Sequence, residues 1–533
     1  AFRPRALFER FRIDFLATTE GAHDDLDAHH RIRASGWNGR VVTTYRPDSV
    51  IDVEHEQFGH AMRHFAELTG EDVYHWHGYL AAHRTRRAAF RAAGATATDH
   101  GHPTVLTANL STADAEALFG RIVGGTWSAT DAELFRAQML TEMARMSLDD
   151  GMVMQIHPGS YRNHNAGLFA SHGRDKGADI PTRTEFVRSL KPMLDVVGNS
   201  DELTIILFTL DESVYARELA PLAGHYPCLR LGPAWWFHDS PEGMRRFREM
   251  TMETAGFYNT VGFNDDTRAF LSIPARHDVA RRVDCAFLAK LVAEHRLVDW
   301  EAADLAQELT SGLRAGIVHL GIGAFHRAHQ AVYTDLAMAA GDRDWAITGV
   351  SLRSRQVHDQ LTPQNGLYTV TERRPGGDAT RLIGAVTRVV VAPDEPGRVV
   401  AALTAPATRI VTLTVTEKGY APNEHESAAA DAAPTTIYDY LAAAVVARLN
   451  AGSSPLTLIS CDNLSNNGRV LHERLCARLE AISPQHRRWF EQAWTCPSTM
   501  VDRIVPATTA ADLNTIEAAL GQRDEGAVIT EPY

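Results

Sequence analysis

The sequence predicts an α/β chain made of two successive units, each alternating short strands with longer helices. Two observations predict it. Up to about residue 300, short β-branched or apolar runs are separated by helix-patterned stretches, an order that implies a parallel sheet. Near residue 310 the alternation restarts with Ile317–Gly321, which runs into a Gly-Ile-Gly turn and then a helical pattern. The length of 533 residues fits this division, because single cores stop growing at roughly 250–300 residues.

In the first unit the strand-like runs are Ile13–Thr19, Arg40–Pro47, Ala95–Gly101, Met152–Gly159, Thr204–Leu210, Cys228–Trp236 and Phe257–Arg268. That is about one strand short of the eight that close a TIM-type (β/α)8 barrel. An incomplete barrel is therefore expected, with its missing strand ahead of residue 1. The helix-patterned segment Arg276–Gln307 ends the unit. The sequence opens at Ala1 and stops at Tyr533 just after an apolar run, so both ends read as cuts.

The second unit continues with strand Trp345–Leu352, a hairpin of Gly366–Arg373 with Arg381–Val391, and strands Arg409–Thr416, Leu456–Asp462 and Met500–Pro506. Helices are expected at Thr436–Leu449 and Arg469–Ile482, and a surface loop at Pro422–Pro434. This is the order of a Rossmann-like, doubly wound nucleotide-binding domain. The expected division is residues 1–310 and 311–533.

Bulk properties narrow the function. The net charge of -13, with no long basic run, argues against a nucleic-acid partner. Small anionic sugars remain open, since they need only one or two arginines. No apolar run reaches the ~20 residues of a membrane helix, so no membrane partner is expected. The five cysteines contain no Cys-x-x-Cys pair and suit a reducing, cytoplasmic setting. Self-association into a homo-oligomer stays open.

Several strand-like runs of the first unit end in polar residues, which a purely structural strand would avoid. Asp266 and Arg268 are two apart, so on a strand they share one face. The carboxylate can hold a divalent metal and the guanidinium can grip a substrate carboxylate. The plainer alternative is a surface ion pair. His157 closes the run Met152–Ile156 as a metal ligand or as a core or rim histidine. His75-Trp76-His77 has metal-binding spacing, but it sits in the helix-patterned stretch Asp72–Ala93, where residues two apart diverge. It and His29-His30 are read as packing and surface.

The strings Tyr45-Arg46-Pro47-Asp48, Thr98-Asp99-His100, His157-Pro158-Gly159-Ser160-Tyr161-Arg162-Asn163, Trp235-Trp236-Phe237 and Asp266-Thr267-Arg268-Ala269-Phe270 closely resemble the uronate (glucuronate) isomerase family over about residues 10–308. That family is an amidohydrolase-type barrel interconverting aldohexuronates and ketohexuronates, usually with one divalent metal, commonly zinc. The resemblance implies that Asp266 is a metal ligand or base, with His157 near the metal. It implies substrate contacts for Arg46, Arg162 and Arg268, and a wall of Trp235 and Trp236. The family's first strand carries a His-x-His pair that nothing before residue 12 supplies, so weakened isomerase activity is expected.

In the second unit Gly321 allows a tight turn and Gly323 lets backbone approach a pyrophosphate. His326 stands where a third glycine is usual, so the generic fingerprint is incomplete. Arg353, near the end of the second strand, leaves NADP beside NAD, or is simply solvated. The string from Gly321 through Phe325 and His326 to Gln330 resembles the long-chain mannitol dehydrogenase family. Thr414 to Tyr420, Ser460-Cys461-Asp462-Asn463 and Met500-Val501-Asp502-Arg503 resemble its fructuronate reductase (mannonate oxidoreductase) branch. The resemblance implies NAD, contacted by Gly321, Gly323, Phe325 and His326. It makes Asn463 the group that polarises the reacting carbonyl and Asp502 a residue that tunes the site. The plainer alternatives are a turn-capping Asn and an exposed Asp. The family's catalytic lysine lies on a downstream domain, so impaired reduction is expected.

Together the resemblances imply consecutive steps of hexuronate breakdown, D-glucuronate to D-fructuronate to D-mannonate. Two other readings stay open: a non-catalytic fusion of fragments, and a polyol dehydrogenase joined to a hydrolase-type barrel.

Overall fold

The computed structural model describes residues 2–174, 176–266, 269–415 and 434–532, and its side chains at all of these except 310 and 311. The chain divides into two compact units, Ala1–Thr310 and Ser311–Tyr533.

The first unit is built on a parallel sheet whose strands follow one another in chain order. They are β1 (Phe15–Gly21), β2 (Arg40–Arg46), β3 (Ala97–His100), β4 (Val153–Ile156), β7 (Ile205–Leu207) and β8 (Leu229–Leu231). Between them, β5 (Ser160–Tyr161) and β6 (Ile180–Pro181) form a small antiparallel pair. Among the described residues, the expected strand Phe257–Arg268 is reduced to one parallel bridge, Leu231 to Thr260. Its apolar start is used elsewhere: Phe257 packs with Phe287, Leu288 and Leu291 in a separate core. Arg268 lies outside the described residues. The segment Arg276–Gln307 falls into two helices, Ile273–Ala293 and Asp299–Ser311.

Helix starts follow the sequence closely. Ser128 caps the helix Ala129–Asp150 in a reciprocal box with Asp131, satisfying two otherwise orphaned donors. That helix carries Asp150, which pairs with the buried Arg87 of helix Trp76–Ala92 at 2.7 Å. His75 caps the latter helix and pairs with Asp72 at 2.6 Å, while His77 reaches Glu116 at 3.0 Å. Both side chains are exposed, the surface placement expected for this His-x-His.

The second unit holds a five-stranded parallel sheet of β9 (Ile317–Leu320), β10 (Ile347–Ser351), β13 (Val386–Val391), β14 (Ile410–Leu413) and β15 (Thr457–Ser460). The order β13-β10-β9-β14-β15 is doubly wound, with its reversal between β9 and β14. The expected hairpin is real but shorter. β11 (Tyr368–Glu372) pairs antiparallel with β12 (Ala379–Ile383), and β13 then leaves to join β10. The stretch Met500–Pro506 is not a strand. Asn467 grips Thr499 through its backbone N–H (2.9 Å) and carbonyl (3.1 Å). The Arg503 side chain is buried and donates to the Glu531 carbonyl at 2.9 Å. Side chains, not a ladder, hold this segment, and the strand beside β11 is instead β16 (Val528–Thr530). The loop Pro422–Pro434 and the string Thr416–Tyr420 lie outside the described residues, except for Pro434.

One buried titratable group of the first core has a measurable consequence. Tyr45 Oη and His83 Nδ1 are 2.7 Å apart, and burial pushes the His83 imidazole down to about 3. An unfolded histidine titrates near 6.5, so the stability tied to neutral His83 is full above that pH and is lost as pH falls toward 3. Relative to His83→Gln, the wild-type first unit should lose about 2 kcal/mol between pH 7 and pH 5. Urea unfolding at the two pH values measures the difference.

Candidate functional site

In the first unit the polar side chains gather at the carboxyl ends of the parallel strands. Arg46 is the last residue of β2, Asp99 and His100 end β3, and His157 follows β4 directly. The ladder sets their register: His100 lies opposite Ile156, and the His157 N–H donates to the His100 carbonyl at 3.0 Å. Trp235 follows β8, and Asp266 lies beyond the Thr260 bridge.

Asp99 joins these ends. Its Oδ1 lies 2.7 Å from His157 Nε2, and its Oδ2 accepts from Arg46 Nε at 2.7 Å and from Arg46 Nη2. The His157 ring packs edge-on against Trp235, with centroids 5.3 Å apart. Trp235 Nε1 donates to Asp266 Oδ2 at 3.2 Å. Trp236 neighbours Trp235 at 5.5 Å, and the Arg162 guanidinium lies over Trp236 at 5.4 Å while donating to Asp179 at 3.0 Å. The structure therefore brings Arg46, His157, Trp235, Trp236, Arg162 and Asp266 into one connected set. Trp236 holds φ at 52°, a strained value for a bulky residue and the kind that concentrates at functional sites.

The electrostatics favour a fixed, charged network. Burial pushes the Asp99 carboxyl up, but His157 and Arg46 outweigh it and hold it well below the carboxylate range. Burial opposes the charge of Arg46, yet Asp99 and Asp48 more than restore it. Asp48 is different: burial pushes it up to about 6 despite Arg46 nearby.

Sequence reasoning left Asp48, Asp99, His100 and His102 unassigned. Asp48, His100 and His102 bring donor atoms within 4.8 Å of one another, a grouping that includes neither Asp266 nor His157. The available signal is position: His100-Gly101-His102 repeats the His-x-His spacing at a strand end, whereas His77 lies on a helix and His75, expected inside that helix, is its extended N-cap residue.

In the second unit the turn after β9 is shaped for glycine. Gly321 has φ 98°, and a Cβ there would stand 2.2 Å from the Thr414 carbonyl oxygen. The Gly321 and Ile322 N–H groups both donate to the Val350 carbonyl, at 2.9 and 3.0 Å. Gly323 precedes the short helix Ala324–Ala328, where Phe325 is half-buried and stacks with His329. His326 is buried and stacked on His319, with centroids 3.4 Å apart. His319 in turn is tied to Thr412 and Thr414 of the neighbouring strand segment, at 2.7 and 2.8 Å. A histidine at the third-glycine position thus packs inward across the sheet reversal. Asn463, just after β15, and Asp502, beside the anchored Arg503, are both exposed, as is Arg353.

Comparison with known proteins bears on both units. Residues 1–311 match the glucuronate isomerase family, and residues 315–533 match the mannitol dehydrogenase Rossmann domain. The chain is 73% identical over 313 residues to the uronate isomerase of Phenylobacterium zucineum, covering 59% of this chain and 65% of that protein. The crystal structure of glucuronate isomerase from Caulobacter crescentus superposes with a TM-score of 0.58 at 69% identity, covering 58% of this chain and 65% of that one. The uronate isomerase of Thermotoga maritima gives a TM-score of 0.55 at 25% identity, covering 58% and 68%. The chain thus spans about two thirds of the length of these relatives. It belongs to the glucuronate isomerase family through residues 1–311, and a mannitol dehydrogenase Rossmann domain follows at residues 315–533.

Proposed function

We propose that residues 1–310 form a TIM-type barrel domain that isomerises D-glucuronate to D-fructuronate. Residues 311–533 then bind NAD and reduce D-fructuronate to D-mannonate, both steps belonging to cytoplasmic hexuronate breakdown. The observation that carries this reading is the Arg46–Asp99–His157 network facing Trp235 and Asp266 at the strand ends.

Aldose–ketose isomerisation moves a proton between adjacent carbons through an enediol, so it needs a positioned base and a stabilised oxyanion. Asp99 holds His157 through Nε2, and His157 is the group that exchanges the proton. The Arg46 cation beside it stabilises the enediolate. Arg162, lying over Trp236, and Arg268 hold the sugar carboxylate, and the two tryptophans exclude water. Asp266, across Trp235, serves as a second proton carrier. A divalent metal would polarise the sugar carbonyl, but catalytic zinc normally takes three protein ligands. Asp266 and His157 supply two, and His157 Nε2 is already committed to Asp99, so this pair alone does not fit a catalytic zinc.

In the second unit the Gly321–Gly323 turn receives the NAD pyrophosphate, with Phe325 along its edge and His326 setting the turn from below. Asn463 polarises the ketone of fructuronate, and Asp502 tunes the site.

The test uses the purified full chain. Proton NMR should show glucuronate converting to fructuronate, and His157→Asn should lower kcat/KM by about 10³-fold. No interconversion by the wild-type chain, with or without divalent metal, would sink the isomerase reading. Asp99→Asn should also cost about 2 kcal/mol of stability in urea. That is below the roughly 3–5 kcal/mol of a fully buried pair, because Arg46 is 39% exposed. Asp266→Asn, at an exposed position, should change stability by less than about 0.5 kcal/mol. For the second unit, Gly321→Ala should abolish the rise in NADH fluorescence on binding while the wild type retains it. Equal NADH binding by both proteins would remove the turn from the cofactor site. Steady-state NADH oxidation with fructuronate against mannitol-type ketoses then decides the substrate class.

A further inference from the structure

The geometry points to a divalent-cation site, of the kind that takes zinc or cobalt(II), built from Asp48, His100 and His102 at the ends of β2 and β3. Each residue arrives with a donor atom that nothing else uses. Asp48 Oδ2 accepts the Gly101 N–H at 3.0 Å, and its Oδ1 has no partner. His100 Nε2 meets Thr98 Oγ1 at 3.0 Å, and its Nδ1 has none. His102 has both ring nitrogens without a partner. The two histidines are 0% and 4% exposed, so water does not answer these groups from the surface.

Leaving buried polar atoms unsatisfied carries the full cost of stripping them of water. His102 Nε2 and Asp48 Oδ1 stand 3.7 Å apart, too far for a hydrogen bond. A cation between them satisfies all three donors together. Two imidazoles and one carboxylate match the three-ligand pattern of catalytic zinc sites and suit cobalt(II) equally. The supporting contacts are those expected behind metal ligands: Thr98 fixes the His100 ring, and the Gly101 N–H fixes the Asp48 carboxylate. Gly101 matters for a second reason. A Cβ there would stand 3.1 Å from Asp48 Oδ2 and 2.8 Å from His157 Cε1, so only glycine lets both side chains approach. The other carboxylate oxygen of Asp48 faces Arg46 Nε at 3.9 Å, which sets the cation beside the proposed sugar site without using Asp266.

The experiment uses the full chain stripped of metal by chelation and titrated with Co²⁺. One equivalent should bind in the first unit. Proton NMR of the cobalt form should show two exchangeable, paramagnetically shifted imidazole N–H signals, one per histidine. His102→Gln should remove one signal and weaken Co²⁺ binding by at least about 100-fold, since losing even a supporting partner costs 10–100-fold. Asp266→Asn should leave affinity and both signals in place. The proposal is overturned if the wild-type chain binds no stoichiometric cobalt, shows fewer than two N–H signals, or loses cobalt through Asp266→Asn but not His102→Gln. The signal count on wild-type protein decides the matter even if His102→Gln does not fold. Because the readout is metal, its failure is distinct from failure of isomerase turnover.

Discussion

The Asp99 carboxylate, 10% exposed at the end of β3, is the constraint around which the first unit's site is arranged. One oxygen holds His157 from the β4 end and the other holds Arg46 from the β2 end. A buried anion is costly unless it is both paired and hydrogen-bonded, and Asp99 is both. It therefore locks three adjacent strand ends into one geometry. Trp235 then packs on the fixed ring and carries Asp266 with it.

The second unit rests on a different kind of constraint, a close approach of backbone. Gly321 lies so near the Thr414 carbonyl that no side chain fits between them. The contact draws the turn after β9 against the strand end across the sheet reversal, where doubly wound sheets open their crevice. The stacked His319 and His326, braced by Thr412 and Thr414, fill the space beneath that turn. The departure from a third glycine is thus compatible with the same turn, because His326 points into the core.

Much of this architecture was legible in the residues. Strand runs were legible because strands of a buried parallel sheet read as short continuous β-branched or apolar clusters, and several here end in polar bursts. A helix start was legible at Thr436, which closes a capping box with Asp439. Legibility failed where side chains, not ladders, hold the backbone. Met500–Pro506 has a strand's composition, yet Asn467 and Arg503 pin it as irregular chain. Phe257 belongs to an apolar run, yet it packs in a neighbouring core and leaves one bridge of the seventh strand. Val386–Val391 looks like the return arm of a hairpin, but β12 already fills that place beside β11 and Val386–Val391 pairs parallel with β10 instead.

By itself the sequence determined the two-unit α/β plan and the glycine turn after Ile317–Leu320, and it named Arg46, His157, Trp235 and Asp266 as candidates for one site. These depend on local pattern and on strings that survive in order. Only the tertiary structure decided that Asp99 is their common partner and that His100 and His102 meet Asp48. Those meetings join different strands brought together by parallel pairing, and the distance between two strand ends is not written in the spacing of either one.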